Sequence, residues 1–288
     1  MPTAAPPRIA VATTAADSPY PDPEARLLGE ELTARGCAAQ VVAWDAGVDW
    51  AAYDLVVVRS PWDYFERLEE FLAWVEHVAT VSRLVNPPSV IRWNSHKGYL
   101  DELGARGVPV LPTLTLPAGD RGAVSALAGT EWDDVVVKPA VDGGARKTLR
   151  GAAASPEVRE HVDRLLDEGD VLVQPYAPGV EAGEVSLVFF GGSFSHAVRK
   201  VPANGDYRVQ WFHGGSERPH EPSPAELAVA AAALAAAPGE LTYARADLID
   251  VDGRPTLMEL EVIEPDLFFR ADNAALGRFV TAVLAEIP

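Results

Sequence analysis

The chain has 288 residues, 48% of them hydrophobic, and a formal net charge of −18 from 42 acidic and 24 basic side chains. This length and apolar content suit one large or two to three small globular domains, while the acidity, without a long basic stripe, excludes nucleic acid or an anionic membrane as partner. A single cysteine, Cys37, excludes an internal disulfide, and with no signal pattern or membrane-length apolar run the expected location is the cytoplasm.

After a Pro-rich start, residues 8–13 read as a buried strand and 23–35 as a helix ended by Gly36. Strands follow at 40–44 and 54–59, then a helix at 66–79 and a short strand near 84–85, before the breaker Asn86-Pro87-Pro88. Strand–helix alternation of this kind predicts a parallel-sheet, Rossmann-like α/β domain over 1–92. A helix is expected from Ser95 to Ala105, capped by Asn94 or Ser95. Strands at 110–116, 134–138 and 171–174 with a helix at 156–168 make a central lobe, 93–176. The character then changes. Segments 184–190, 193–201, 207–212, 243–250 and 255–262 alternate like antiparallel strands, with helices at 223–236 and 271–285, giving a third unit over 177–288. The fold class is mixed α/β (α+β).

The hairpin at 244–262 carries the densest chemistry. An Asp252-Gly253 turn joins its strands. Glu259 and Glu261 alternate onto one face, and Asp247 lies across from them. Three converging carboxylates repel unless something positive sits among them, and hard oxygen ligands suit Mg²⁺ accompanied by substrate phosphates. A solvated acidic face is the competing reading.

Upstream, Lys138 ends the run Val135-Val136-Val137, where burial without an anion is costly. The 142–148 loop, with Gly143, Gly144 and Arg146, suits covering phosphates with backbone N–H groups. It lacks the Gly-Lys-Ser/Thr order of a P-loop, and a plain turn is the alternative. Gln174, Pro175 and Tyr176 form a stiffened connector suited to reading adenine, and Glu181 and Glu184 can accept from ribose hydroxyls. Arg199, Lys200, Arg208 and Arg245 put cations where phosphate or carboxylate charge would develop, unless they are surface salt bridges. His77, His161 and His220 are expected to face solvent, and no zinc spacing or nucleophile elbow occurs. Strand ends of the first domain, with Thr13, Thr14 and Tyr20 and then Arg59, Ser60 and Asp63, are expected to supply part of the substrate pocket.

The order of these features resembles an ATP-grasp ligase over nearly the full length. The resemblance rests on residues 94–100, 136–146, 183–200, 205–210 and 258–268. Those stretches look most like the branch containing cycloserine synthetase, an O-ureido-D-serine cyclo-ligase, with glutathione-synthetase-like ATP-binding domains. The resemblance implies an ATP-grasp fold, two lobes clasping ATP, and Mg²⁺ held by Asp247, Glu259 and Glu261. It implies Lys97 and Lys138 on the α- and β-phosphates, the 142–148 loop over the γ-phosphate, and backbone at Gln174 and Tyr176 on adenine. Glu181 or Glu184 would meet ribose. Arg245 would stabilise an acyl-phosphate transition state, with Arg199, Lys200 and Arg208 nearest a small amino-acid-like substrate. A homodimer or homotetramer and a place in natural-product biosynthesis are implied too. Many family members have Asn where this chain has Glu261. A small-molecule kinase or a non-catalytic nucleotide binder are the alternative readings.

Overall fold

A computed structural model describes residues 5–15, 18 and 22–287; Tyr20, expected near the substrate, lies outside them. The first unit comprises β1 (Arg8–Thr13), α1 (Pro23–Ala34), β2 (Ala38–Ala43), β3 (Leu55–Ser60), α2 (Leu68–Val81) and β4 (Arg83–Val85). Its strands form a four-stranded parallel sheet in the order β2-β1-β3-β4. Alternation divides them between two cores. Ile9, Val11, Leu55 and Val57 pack on the α1 side, whereas Ala10, Ala12, Val56 and Val58 meet Trp44, Phe71 and Trp74.

Helices α3 (Pro88–Asn94) and α4 (Tyr99–Ala105) follow. The helix expected from Ser95 begins at Tyr99, and an unexpected short helix, α3, precedes it. Asn94 caps neither; its amide is used elsewhere, and the turn between the helices presents Lys97. A second, antiparallel sheet contains β5 (Leu114–Leu116), β6 (Asp134–Pro139), β7 (Leu149–Ala152) and β8 (Val171–Pro175), in the order β5-β8-β6-β7, with α5 (Val124–Leu127) and α6 (Pro156–Leu166). Ser155 caps α6 by accepting from the Val158 N–H, and Pro156 opens the helix. His161, expected in solvent, is buried and bonded to the Lys147 carbonyl at 2.7 Å.

The third sheet is antiparallel and five-stranded, β11-β10-β9-β12-β13. It is built from β9 (Glu184–Phe190), β10 (Ser193–Val201), β11 (Ser216–His220), β12 (Tyr243–Val251) and β13 (Arg254–Glu261), with α7 (Pro224–Ala235) and α8 (Ala275–Leu284). Residues 207–212, expected as a strand, are loop and a single 3₁₀ turn; the strand lies at 216–220 instead. Aromatic and β-branched residues suggested a strand, but Gly205, Gly214 and Gly215 punctuate the segment and Trp211 and Phe212 stay exposed. No helix among the described residues is long and apolar enough to cross a membrane.

One face of this third sheet is mainly apolar, packing Leu187, Phe189, Ala244, Ala246 and Leu260 against α4 and α7. The other face is split. At one end Val188, Phe190, Val198 and Tyr243 join the core of the first unit, and at the other the same alternation displays Glu184, Lys200, Arg245 and Asp247. Edge strand β13 is held by groups other than a strand. Asn94 donates to the Leu260 carbonyl and accepts from the Val262 N–H, the Tyr99 hydroxyl accepts from the Leu260 N–H, and Leu257 exchanges backbone bonds with Pro109 and Leu111. Beside it, fully buried Asn86 donates to Tyr243 and Val262 carbonyls and accepts from the Thr242 N–H. Asn86→Ala would orphan buried donors and acceptors, so denaturant unfolding should show a loss of roughly 2–4 kcal/mol. A loss below about 0.5 kcal/mol would assign the junction to apolar packing instead.

Candidate functional site

Strand pairing sets the charged face. Arg245 lies opposite Glu261 and Asp247 opposite Glu259 across the β12–β13 hairpin, whose turn takes positive φ at Asp252 and Gly253. Ser186 lies beside Asp247 on β9, and Glu184 beside Lys200. The positive charge expected among the carboxylates is supplied by side chains. Asp247 accepts from Ser186 (2.6 Å), from Arg245 Nη2 (2.8 Å) and from Lys200 Nζ (3.2 Å). Arg245 also pairs with Glu261, and Lys200 with Glu184. Lys97 reaches in from its turn to Glu259 at 2.8 Å and to the Asp142 carbonyl at 2.6 Å.

Burial would raise the pKa of Asp247, but Arg245 and Lys200 hold it below the usual carboxylate range. Burial likewise opposes Glu259, and Lys97 and Lys138 keep it low. Glu261 behaves oppositely. Its burial, with Glu259 and Asp247 alongside, pushes it up to about 8. Arg245 does not prevent this, because the same guanidinium also serves Asp247 through Nε and Nη2. Lys138 is the exception among the cations. Burial pulls its pKa down, and no carboxylate among the described residues lies within ion-pair distance of it, whereas Lys97, Lys200 and Arg245 each have one.

The glycine loop is folded onto its neighbours. Arg146 pairs with Glu66 at 2.7 Å and lies over the Phe65 ring. Gly144 has φ +66°, and a Cβ there would come 3.3 Å from Phe212. Tyr207 donates to the Thr148 carbonyl at 3.2 Å. The loop thus bridges the first unit and the 205–215 segment, and Gly143 and Gly144 leave room for that approach.

Several expected residues stand elsewhere. Arg199 adjoins Lys200 on β10, so it must face the opposite side of the sheet. There its guanidinium is 3.8 Å from Glu226, away from the carboxylate face. Arg208 is forked onto Asp206 in its own loop. Arg59 is 2% exposed and ties Glu24 to the Pro265 carbonyl. Asp63 holds Trp44 and Arg67, and Ser60 is fully buried with no partner for its Oγ. The Tyr176 N–H is committed to the Asp134 carbonyl, its ring lies under Arg150, and its hydroxyl donates to exposed Glu181. Of the two ribose candidates, only Glu184 lies on the charged face. Gln174 is buried and donates to Thr113, and Pro175 ends β8 opposite Val135.

Met258, Trp62, Tyr64 and Glu264, none of them among the expected site residues, stand beside the site. A bulge in the hairpin register leaves Met258 unpaired between Leu257 and Glu259, and Met258 packs with Tyr176 and Tyr207 around Leu111 and Ile249. From the first unit, Trp62 Nε1 donates to the Glu264 carbonyl at 2.9 Å, and the Tyr64 hydroxyl lies near enough to the Glu264 carboxylate to lower its pKa. A pattern of single residues gives no hint of a bulge or of contacts spanning some two hundred positions. Only the 59–64 stretch as a whole was signalled.

The donor chemistry suits Mg²⁺, all oxygen and no nitrogen or sulfur. Glu259 and Glu261 keep 26% and 23% of their side-chain surface accessible, while Asp247 keeps 4% and is saturated by its cations. Among the described residues no group of three His, Cys, Asp or Glu side chains stands ready around a metal position.

Comparison with known proteins bears on the fold and the family. Residues 9–86 match the model of the D-cycloserine synthetase DcsG N-terminal domain, and residues 103–267 the ATP-grasp domain of prokaryotic glutathione synthetase. The cycloserine biosynthesis protein DcsG of Streptomyces lavendulae is 38% identical over 271 residues, 87% of this chain and 89% of that protein. Glutathione synthetase of Prochlorococcus marinus (strain MIT 9313) is 29% identical over 151 residues, 51% of this chain and 47% of its own. The crystal structure of D-cycloserine synthetase DcsG superimposes with a TM-score of 0.88 at 34% identity, covering 98% of this chain and 100% of that one. The ATP-grasp ligase PsnB, solved with minimal precursor, Mg and ADP, shares the fold at a TM-score of 0.64 and 20% identity, covering 97% and 98% of the two chains.

Proposed function

The chain belongs to the ATP-grasp ligases, and from that premise we propose that it activates the carboxylate of a small amino-acid-like substrate with ATP and joins it to a nitrogen nucleophile. The observation that carries this reading is Lys138, a half-buried cation beside an acidic face with no carboxylate of its own within ion-pair distance among the described residues. A phosphate of the nucleotide supplies what the fold withholds. Lys97 and Lys138 bind the α- and β-phosphates, and the 142–148 loop closes over the γ-phosphate with its backbone N–H groups. Adenine lies against the apolar group of Met258, Tyr176 and Leu111, and Glu184 accepts from the ribose.

Glu259 and Glu261 would hold Mg²⁺, with Asp247 joining them once phosphate draws Lys200 away. When bound, the ion neutralises phosphate charge. A substrate carboxylate oxygen attacks the γ-phosphorus; the acyl-phosphate forms and ADP leaves. The nitrogen then adds to the acyl carbon, phosphate departs, and the nitrogen gives up its proton. Arg245 stabilises the charge gathering on the transferring group, and Lys200 lies beside it. The rest is positioning, which needs no protein nucleophile. The likeness to cycloserine synthetase favours O-ureido-D-serine or a similar β-substituted serine, with both reacting groups in one molecule and a ring as product.

Incubation with ATP, Mg²⁺ and O-ureido-D-serine should release ADP and phosphate in equal amounts with a cyclised product by mass spectrometry. ADP release with a stable phosphorylated product would identify a kinase and overturn the ligase reading.

A further inference from the structure

On the ligase reading, we propose that Glu264 selects the substrate by its free amine, its carboxylate binding the ammonium group while Tyr64 fixes its orientation. Among the carboxylates of this site Glu184, Asp247, Glu259 and Glu261 each have a Lys or Arg partner. Glu264 has none among the described residues; the Tyr64 hydroxyl stands beside it, close enough to lower its pKa. Tyr64 is itself buried, 4% exposed, so it remains a neutral phenol able to donate. A partly buried carboxylate among like charges is costly unless a cation arrives.

Its place in the fold points to substrate rather than nucleotide. Glu264 lies beyond the end of β13, three residues past Glu261 and on the side clasped by Trp62 and Tyr64. Those residues follow β3, at the carboxyl end of a parallel strand, where α/β sheets bind ligands. A second unmet polar group stands nearby. The buried Ser60 Oγ, without a partner, ends β3 four residues before Tyr64. Lys138 and Glu264 are thus the two charged groups of the site without an ion-pair partner among the described residues, one suited to phosphate and one to ammonium. Lys97, paired with Glu259, lies in the field of both carboxylates.

The test compares O-ureido-D-serine with its deamino analogue, in which hydrogen replaces the ammonium group. Steady-state ADP release from the wild type should favour the amine. Glu264→Gln should raise KM for the amine roughly 10- to 100-fold, the worth of a charged hydrogen bond. The KM for ATP, the Mg²⁺ dependence and Tm should stay unchanged. Tyr64→Phe should shift the amine KM in the same direction by a few-fold, since it loses one neutral hydrogen bond. Equal use of both compounds by the wild type would overturn the inference and leave the ligase reading intact. So would a Glu264→Gln enzyme whose Mg²⁺ requirement moves instead of its amine KM. If neither compound is turned over, the ligase reading for this substrate class fails. Calorimetric binding of D-serine against its deamino analogue then still decides the role of Glu264, with equal affinities overturning it.

Discussion

Lys138→Met is expected to leave the protein as stable as before, or more so, while kcat/KM for ATP falls roughly 10²- to 10³-fold, the usual cost of losing one charge-stabilising donor. Methionine keeps the unbranched stem that packs at the end of β6 and removes only the ammonium. That ammonium is the group the fold disfavours. Burial depresses the Lys138 pKa, so the charged form is less favourable in the folded chain than in the unfolded one. The sign follows from linkage. A lysine with a lowered folded pKa subtracts stability throughout the range below that pKa, and the penalty fades only as pH rises towards the unfolded value. Wherever the folded lysine stays charged the penalty is present, and the substitution removes it. Denaturant melts and an ADP-release assay on the same preparation check the pair of effects. Stability lost with activity retained would make Lys138 a structural residue. Stability kept with activity lost is the mark of a charge held for a ligand.

The parts of the fold that repeat locally were legible in the sequence. The apolar run at 8–13, period-two alternation in 184–190 and 243–250, and breakers such as Asn86-Pro87-Pro88 located strands within a few residues of their observed ends. The hairpin and its Asp252-Gly253 turn emerged from one stretch, so the facing of Asp247, Glu259 and Glu261 did too. What failed depended on distant partners. Asn94 looked like a helix cap because Asn favours that position, but its amide completes the edge of a strand at 260–262. Arg199 and Lys200 were taken together although neighbours on a strand cannot share a face; the structure keeps Lys200 and turns Arg199 to Glu226. Arg59 was a candidate for substrate because it ends a parallel strand. Its guanidinium is spent on Glu24 and the Pro265 carbonyl, a contact across some two hundred residues. Trp62 and Tyr64, aromatic and easily taken for packing, carry the contact to Glu264 from the same stretch.

Glu259→Gln is expected to reduce turnover to background, while Glu261→Asn keeps it within roughly tenfold, although both remove one carboxylate from the same strand. The difference lies in their partners. Glu259 alone pairs with Lys97, and that pair also anchors the turn carrying Lys97 to the Asp142 carbonyl at the root of the glycine loop. A neutral amide at 259 frees Lys97 from its ion pair and removes a hard oxygen from the metal face, so two groups that meet the nucleotide are disturbed together. Partial burial of the pair makes a stability loss of roughly 1–3 kcal/mol the accompanying expectation. Glu261 instead shares Arg245 with Asp247, which keeps that guanidinium in place through Nε and Nη2 when Glu261 is neutralised. Asparagine still offers a carbonyl oxygen to Mg²⁺ and matches the residue many ATP-grasp enzymes carry there. Titration of activity against Mg²⁺ for the two variants separates the roles. A Glu259→Gln enzyme with wild-type turnover would remove Glu259 from the metal site, and a dead Glu261→Asn enzyme would move the essential charge one pleat along the strand.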